Sequence, residues 1–141
     1  MITKFKMAMK MVSLSIIMCS FIIGSCNTAS AASVNWSVYY ASGGGNGEQK
    51  VVSLPTYGGT YRAKCDNISG SCTYKVVTIT AYKESGCKNK VSLSPEVKFS
   101  GSGKIDFQLS SVPAVNNIFF LASLSHSNGT SASAAGLIKT L

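Results

Sequence analysis

The chain has 141 residues, which makes a single domain the expectation. Its formal net charge is +8 at pH 7, but its 13 Lys and Arg are scattered without a dense basic run, which argues against a nucleic-acid binder. One His and five Asp or Glu leave little material for general acid–base catalysis, so most enzymes of that kind are excluded.

The N-terminal segment is set apart from the rest. Lys4, Lys6 and Lys10 precede an apolar run from Met11 to Ile23, shorter than the ~20 residues a membrane span needs. Ala29-Ser30-Ala31 then fits an A-x-A cleavage site, so residues 1–32 read as a secretory signal peptide and residues 33–141 as the mature domain. Ile23-Gly24-Ser25-Cys26 also resembles a lipobox. The alternative to a freely secreted protein is therefore one held at the cell surface by lipid on Cys26. Without the leader's three lysines, 10 basic against 5 acidic residues leave +5, enough to draw the protein to an anionic envelope.

The mature chain reads as strands. Val34, Trp36, Val38 and Tyr40 alternate onto one face of a first strand, which ends at the glycine-rich stretch 42–47. That stretch lacks the Gly-Lys-Ser/Thr of a phosphate-binding loop. A short strand from Lys50 to Leu54 ends at Pro55. The stretch from Tyr57 to Tyr82 reads as a hairpin whose tip, Asp66 to Ser71, lies between Cys65 and Cys72. Directly opposed strand residues suit a disulfide, so Cys65–Cys72 is the expected staple, worth roughly 2–3 kcal/mol for so small a loop. In that register Ala63 faces Tyr74 and Tyr61 faces Val76, while Arg62 and Lys64 share the other surface with Thr73 and Lys75. Val77, Ile79 and Ala81 fall on this same charged surface, which demands a twist into a second layer or a bulge at Val76-Val77.

Further on, Lys83 to Lys90 is a turn-rich loop carrying Cys87, followed by short pieces at 91–93 and 97–99. Ile105, Phe107 and Leu109 alternate inward. The apolar run Ile118 to Ala122 is expected to be the most central strand. Ser127-Asn128-Gly129 is a hairpin signal, and the small-residue strand after it, Ser131 to Gly136, reads as a flat edge suited to assembly. Short strands at this spacing indicate an all-β, antiparallel β-sandwich or partly open barrel.

Chemistry-bearing residues are few. Cys65, Cys72, Cys87 and His126 add up to a zinc set, but the six residues inside the first pair exceed usual structural-zinc spacing. Cys87 is left free or paired between molecules. Cys87 and His126 together resemble no protease signature, and no cofactor motif occurs. The sequons at Asn35, Asn67 and Asn128 matter only in a eukaryotic secretory path.

Tyr61-Arg62 followed by Lys75-Val76, with the Gly/Ser-rich turns, resembles small exported β-rich proteins of Gram-positive bacteria. That resemblance implies a secreted sandwich and no particular activity. The functional expectation is a secreted, non-enzymatic protein binding an envelope or extracellular ligand, glycan or protein. Trp36, Tyr40, Arg62, Lys64 and Lys75 are its candidate contacts. The alternatives are a cationic antimicrobial or toxin-like protein and a matrix or surface-layer subunit.

Overall fold

The computed structural model describes residues 31–44, 47–55, 59–87, 93–109 and 117–141. The leader through Ser30, the lipobox cysteine, Tyr57 and the piece at 91–92 lie outside the described residues. Eight strands are formed: β1 (Ser33–Ala41), β2 (Gln49–Pro55), β3 (Thr60–Ser69), β4 (Lys75–Tyr82), β5 (Val97–Phe99), β6 (Gly103–Gln108), β7 (Asn117–His126) and β8 (Ser131–Thr140). They make two four-stranded antiparallel sheets, ordered β1-β8-β3-β6 and β2-β7-β4-β5. The sheets stack as a β-sandwich and do not close into a barrel.

Each strand has one apolar row, and the two sets of rows meet between the sheets. Trp36 and Val38 of β1, Tyr61 and Ala63 of β3, and Ala132, Ala134 and Ile138 of β8 come from the first sheet. Val52 and Leu54 of β2, Val77, Ile79 and Ala81 of β4, and Ile118, Phe120 and Ala122 of β7 face them from the second. The rings of Tyr61, Phe107 and Phe120 form a triangle with centroids 5.8–6.2 Å apart, at interplanar angles of 28°, 51° and 79°. Such pairs add about 0.5–1.5 kcal/mol each beyond area burial. β7 lies between β2 and β4, so the apolar run at 118–122 is central as expected. Ile105 shares its parity with Phe107 yet stays 37% exposed, because β6 is an edge strand.

The stapled hairpin does not form. β3 belongs to the first sheet and β4 to the second, so the expected Ala63–Tyr74 and Tyr61–Val76 pairings are replaced by β3–β6 and β3–β8 ladders. Cys65 and Cys72 are free, buried thiols, and Cys87 is free as well. The physical reason is the clash of faces noted above. Crossing to the opposite sheet lets β3 bury Tyr61, Ala63 and Cys65 while β4 buries Val77, Ile79 and Ala81, with no bulge at Val76-Val77. The register shift lies in β3 instead, between Cys65 and Asn67.

The same crossing recurs along the chain: among the described strands, β4 and β5 are the only consecutive pair joined within one sheet. Ser127-Asn128-Gly129 is therefore an arch from β7 to β8 between sheets and not a hairpin. It packs on the β3–β4 arch. The Ser71 hydroxyl accepts from the amides of Thr130 and Ser131 at 3.1 Å each, and the Cys72 amide donates to the Ser131 carbonyl at 3.0 Å. Gly70 has φ +110°, and a Cβ there would stand 2.5 Å from the Ser131 carbonyl oxygen, so this close approach requires glycine. The strand at 131–136 is no edge either: β8 is flanked by β1 and β3.

Candidate functional site

Two places gather polar chemistry. The first is the outer face of the first sheet, where the period of two sends every second side chain to solvent. One cross-strand row runs Ser33, Lys139, Arg62, Asp106; the next runs Asn35, Leu137, Lys64, Lys104. Arg62 donates to Asp106 through Nε at 2.6 Å and Nη2 at 2.8 Å, a fork-to-carboxylate pair. These hydrogen bonds hold the Asp106 carboxyl below the usual carboxylate range, helped by the nearby charges of Arg62, Lys104 and Lys139. Lys64 pairs with Asp66 at the β3 bulge.

Lys64 and Lys104 stand directly opposite each other across β3 and β6. Like charges in opposed positions are unfavourable unless water or an anion intervenes. Beside them opens a shallow recess of about 350 Å³, lined by Lys64, Cys65, Asp66, Ser102, Gly103 and Lys104. The Ser102 hydroxyl donates to the Asp66 carbonyl at 2.9 Å, tying the β5–β6 turn to the bulge. Arg62, Lys64, Lys104 and Lys139 against Asp66 and Asp106 give this half of the face 4 − 2 = +2. Its other half is nearly uncharged, with Ser37, Ser69, Ser133 and Ala135 and a half-exposed Tyr39.

The second place is one end of the sandwich. His126 closes β7, not a turn. Its Nδ1 donates to the Ser127 carbonyl at 2.8 Å and its Nε2 meets Glu48 Oε1 at 2.6 Å. Tyr40 of β1 stacks on the imidazole at 3.9 Å between centroids, and Cys72 Sγ lies 3.9 Å from Nδ1. The carbonyl contact first, and then the Glu48 carboxylate, raise the His126 pKa above the usual histidine value. Cysteine, imidazole and carboxylate in line resemble a nucleophile triad in outline, and this cluster was not legible in the sequence. The proton positions speak against that chemistry. A carbonyl oxygen accepts only, so Nδ1 carries a hydrogen and has no lone pair for the Cys72 proton. The thiol is also 1% exposed beneath Gly129, whose Cβ would meet Sγ at 2.7 Å. The arrangement works as a latch, joining the first sheet to the second through Tyr40, Glu48 and His126.

The five expected contacts therefore separate. Trp36 is 2% exposed, its ring packed on Gly136 of β8, so it is core and not a ligand platform. Tyr40 is half-buried, with one ring face given to His126. Lys75 belongs to the other sheet and turns its ammonium back onto the carbonyls of Gly70 (2.9 Å) and Cys72, capping the β3–β4 arch. Arg62 and Lys64 remain on one outer face, where the structure adds Lys104, Lys139 and Ser102. The alternation of Lys104 with Asp106 shows that they point outward. Nothing local shows that they sit beside Lys64, because the β3–β6 pairing spans some forty residues.

Among the described residues no cluster of three or more His, Cys, Asp or Glu is placed to hold a metal ion. No protein-family model matches the chain, and no curated protein matches it.

Proposed function

We propose that the protein is an exported, non-enzymatic β-sandwich that binds an anionic glycan of the cell envelope or extracellular space through the outer face of its first sheet. The observation that carries this reading is the Lys64–Lys104 opposition beside an open recess. Asp66 shares the Lys64 ammonium, and an anionic group beside it would draw on Lys104 and Lys64 together; Ser102, whose hydroxyl hydrogen is committed to the Asp66 carbonyl, lines the same rim without donating. Arg62 and Lys139 extend the positive row on the neighbouring strand positions. Export is supported by the basic, apolar and A-x-A succession of the first 32 residues.

Calorimetric titration with heparin as a sulfated polyanion and dextran as a neutral polymer tests this. Heparin binds and weakens as salt rises, and dextran does not bind. Replacing both Lys64 and Lys104 with Ala costs about tenfold in affinity, two exposed ion pairs at up to ~1 kcal/mol each. Unchanged affinity in the double variant, or equal binding of dextran, removes the proposal.

A further inference from the structure

Among the described residues four strand edges bound the two sheets, and three of them carry features that discourage pairing. β2 ends in Pro55 and carries Lys50 at the same parity as its core residues Val52 and Leu54. β5 has three residues, and its central Lys98 pairs at 3.0 Å with Glu96 just before the strand. β6 presents Lys104 and Asp106. β1 has nine residues, alternates regularly, and contains no charged residue and no proline.

The direction of its free backbone groups follows from the ladder. Thr140 N–H donates to the Ala32 carbonyl and Ser42 N–H to the Thr130 carbonyl, so the even-numbered residues of this strand bond to β8. The odd-numbered ones point away. Tyr39 confirms this: its N–H and C=O exchange bonds with Gly47 at 2.9 and 3.2 Å, closing one end of the edge with an antiparallel bridge. Ser33, Asn35 and Ser37 point the same way, and their side chains lie on the outer face.

We infer that β1 pairs with β1 of a second copy of this chain, antiparallel about a two-fold axis at Asn35. This register sets Ser33 opposite Ser37 of the partner and Asn35 opposite itself, so no like charges meet, although the molecule as a whole is strongly basic. The Tyr39–Gly47 bridge shows that this edge already accepts an antiparallel partner. Every other edge, offered to itself, would oppose lysines, present a proline or bring too few residues.

Five residues of edge bury far less than the ~1,200 Å² of a stable interface, so the dimer is weak and reversible. It joins two first sheets into one of eight strands, β6-β3-β8-β1-β1-β8-β3-β6. On the glycan reading above, this consequence places two Lys64–Lys104 pairs on one continuous face. Five strand spacings of ~4.8 Å separate the two β3 strands by roughly 24 Å.

Sedimentation velocity of the purified protein, from micromolar to near-millimolar concentration and without glycan, tests the pairing independently of what the face binds. The sedimentation coefficient rises with concentration as monomer converts to dimer. Asn35→Lys leaves the β8 ladder intact but opposes two lysines across the axis, raising the dimer dissociation constant up to about fivefold. Ser37→Pro removes an outward N–H and has the same effect, with circular-dichroism melting confirming that both variants fold. A monomer at every concentration, or a dimer indifferent to Asn35→Lys, overturns the inference.

Discussion

Gly136 sits where three strands of the first sheet come together, opposite Trp36 on one side and Cys65 on the other. A Cβ placed there would stand 1.8 Å from the Lys64 carbonyl oxygen, 2.8 Å from its carbon and 2.9 Å from Trp36 Cζ2. The first two contacts are backbone, so a rotamer change cannot relieve them; β3 must move away from β8 at the bulge. Overpacking of this kind costs about 1–3 kcal/mol. One strained ladder hydrogen bond adds roughly 1 kcal/mol. Gly136→Ala should therefore lose about 3 kcal/mol, seen in urea unfolding as a lower midpoint at unchanged slope, and some 10–15 °C in melting temperature. Gly43→Ala is the control, because its Cβ would have nothing within 4 Å. If Gly136→Ala loses less than about 1 kcal/mol, the close approach of β8 to β3 and Trp36 is wrong.

Two further outcomes follow from the half-buried histidine and the buried thiols. The His126 pKa is raised in the folded chain, so the latch contributes its full stability below the unfolded value of about 6.5 and loses it as pH rises through the folded value. Melting temperature should fall across that window, and Glu48→Gln should flatten the profile; a profile identical to wild type in Glu48→Gln would show that the carboxylate contact is idle. The second concerns the cysteines. Burial pushes the Cys65 and Cys87 thiols up, and all three thiols are shielded, so iodoacetamide should label them in denaturant and spare them in the native protein. Melting should be indifferent to reductant, whereas a drop of several degrees on reduction would restore the Cys65–Cys72 staple.

Much of the fold was legible because a strand's alternation is a local property. Val34 to Tyr40 and Val77 to Ala81 each declare which face is apolar, and those faces do line the core; Ile118 to Ala122, apolar at every position, declares a central strand but not which face it buries. Arg62 and Lys64 were recognisable as outward-facing for the same reason. Alternation already set Trp36 on the apolar row, and its choice as a contact rested on ring chemistry alone; the structure seats that ring in the core against Gly136.

The sequence by itself determined that the chain after the leader reads as short amphipathic strands broken by Gly, Ser and Asn turns, and hence as an all-β sandwich or partly open barrel; the structure decided for the sandwich. The tertiary structure alone decided the partners. A turn signal marks where the chain reverses, and the backbone torsions that allow a reversal do not say whether the next strand joins the same sheet or crosses to the other. Crossing lets β4 bury its own apolar row against that of β3, which is why Cys65 and Cys72 part company. It is also why Lys64 meets Lys104, and why His126 finds Glu48 across 78 residues of chain.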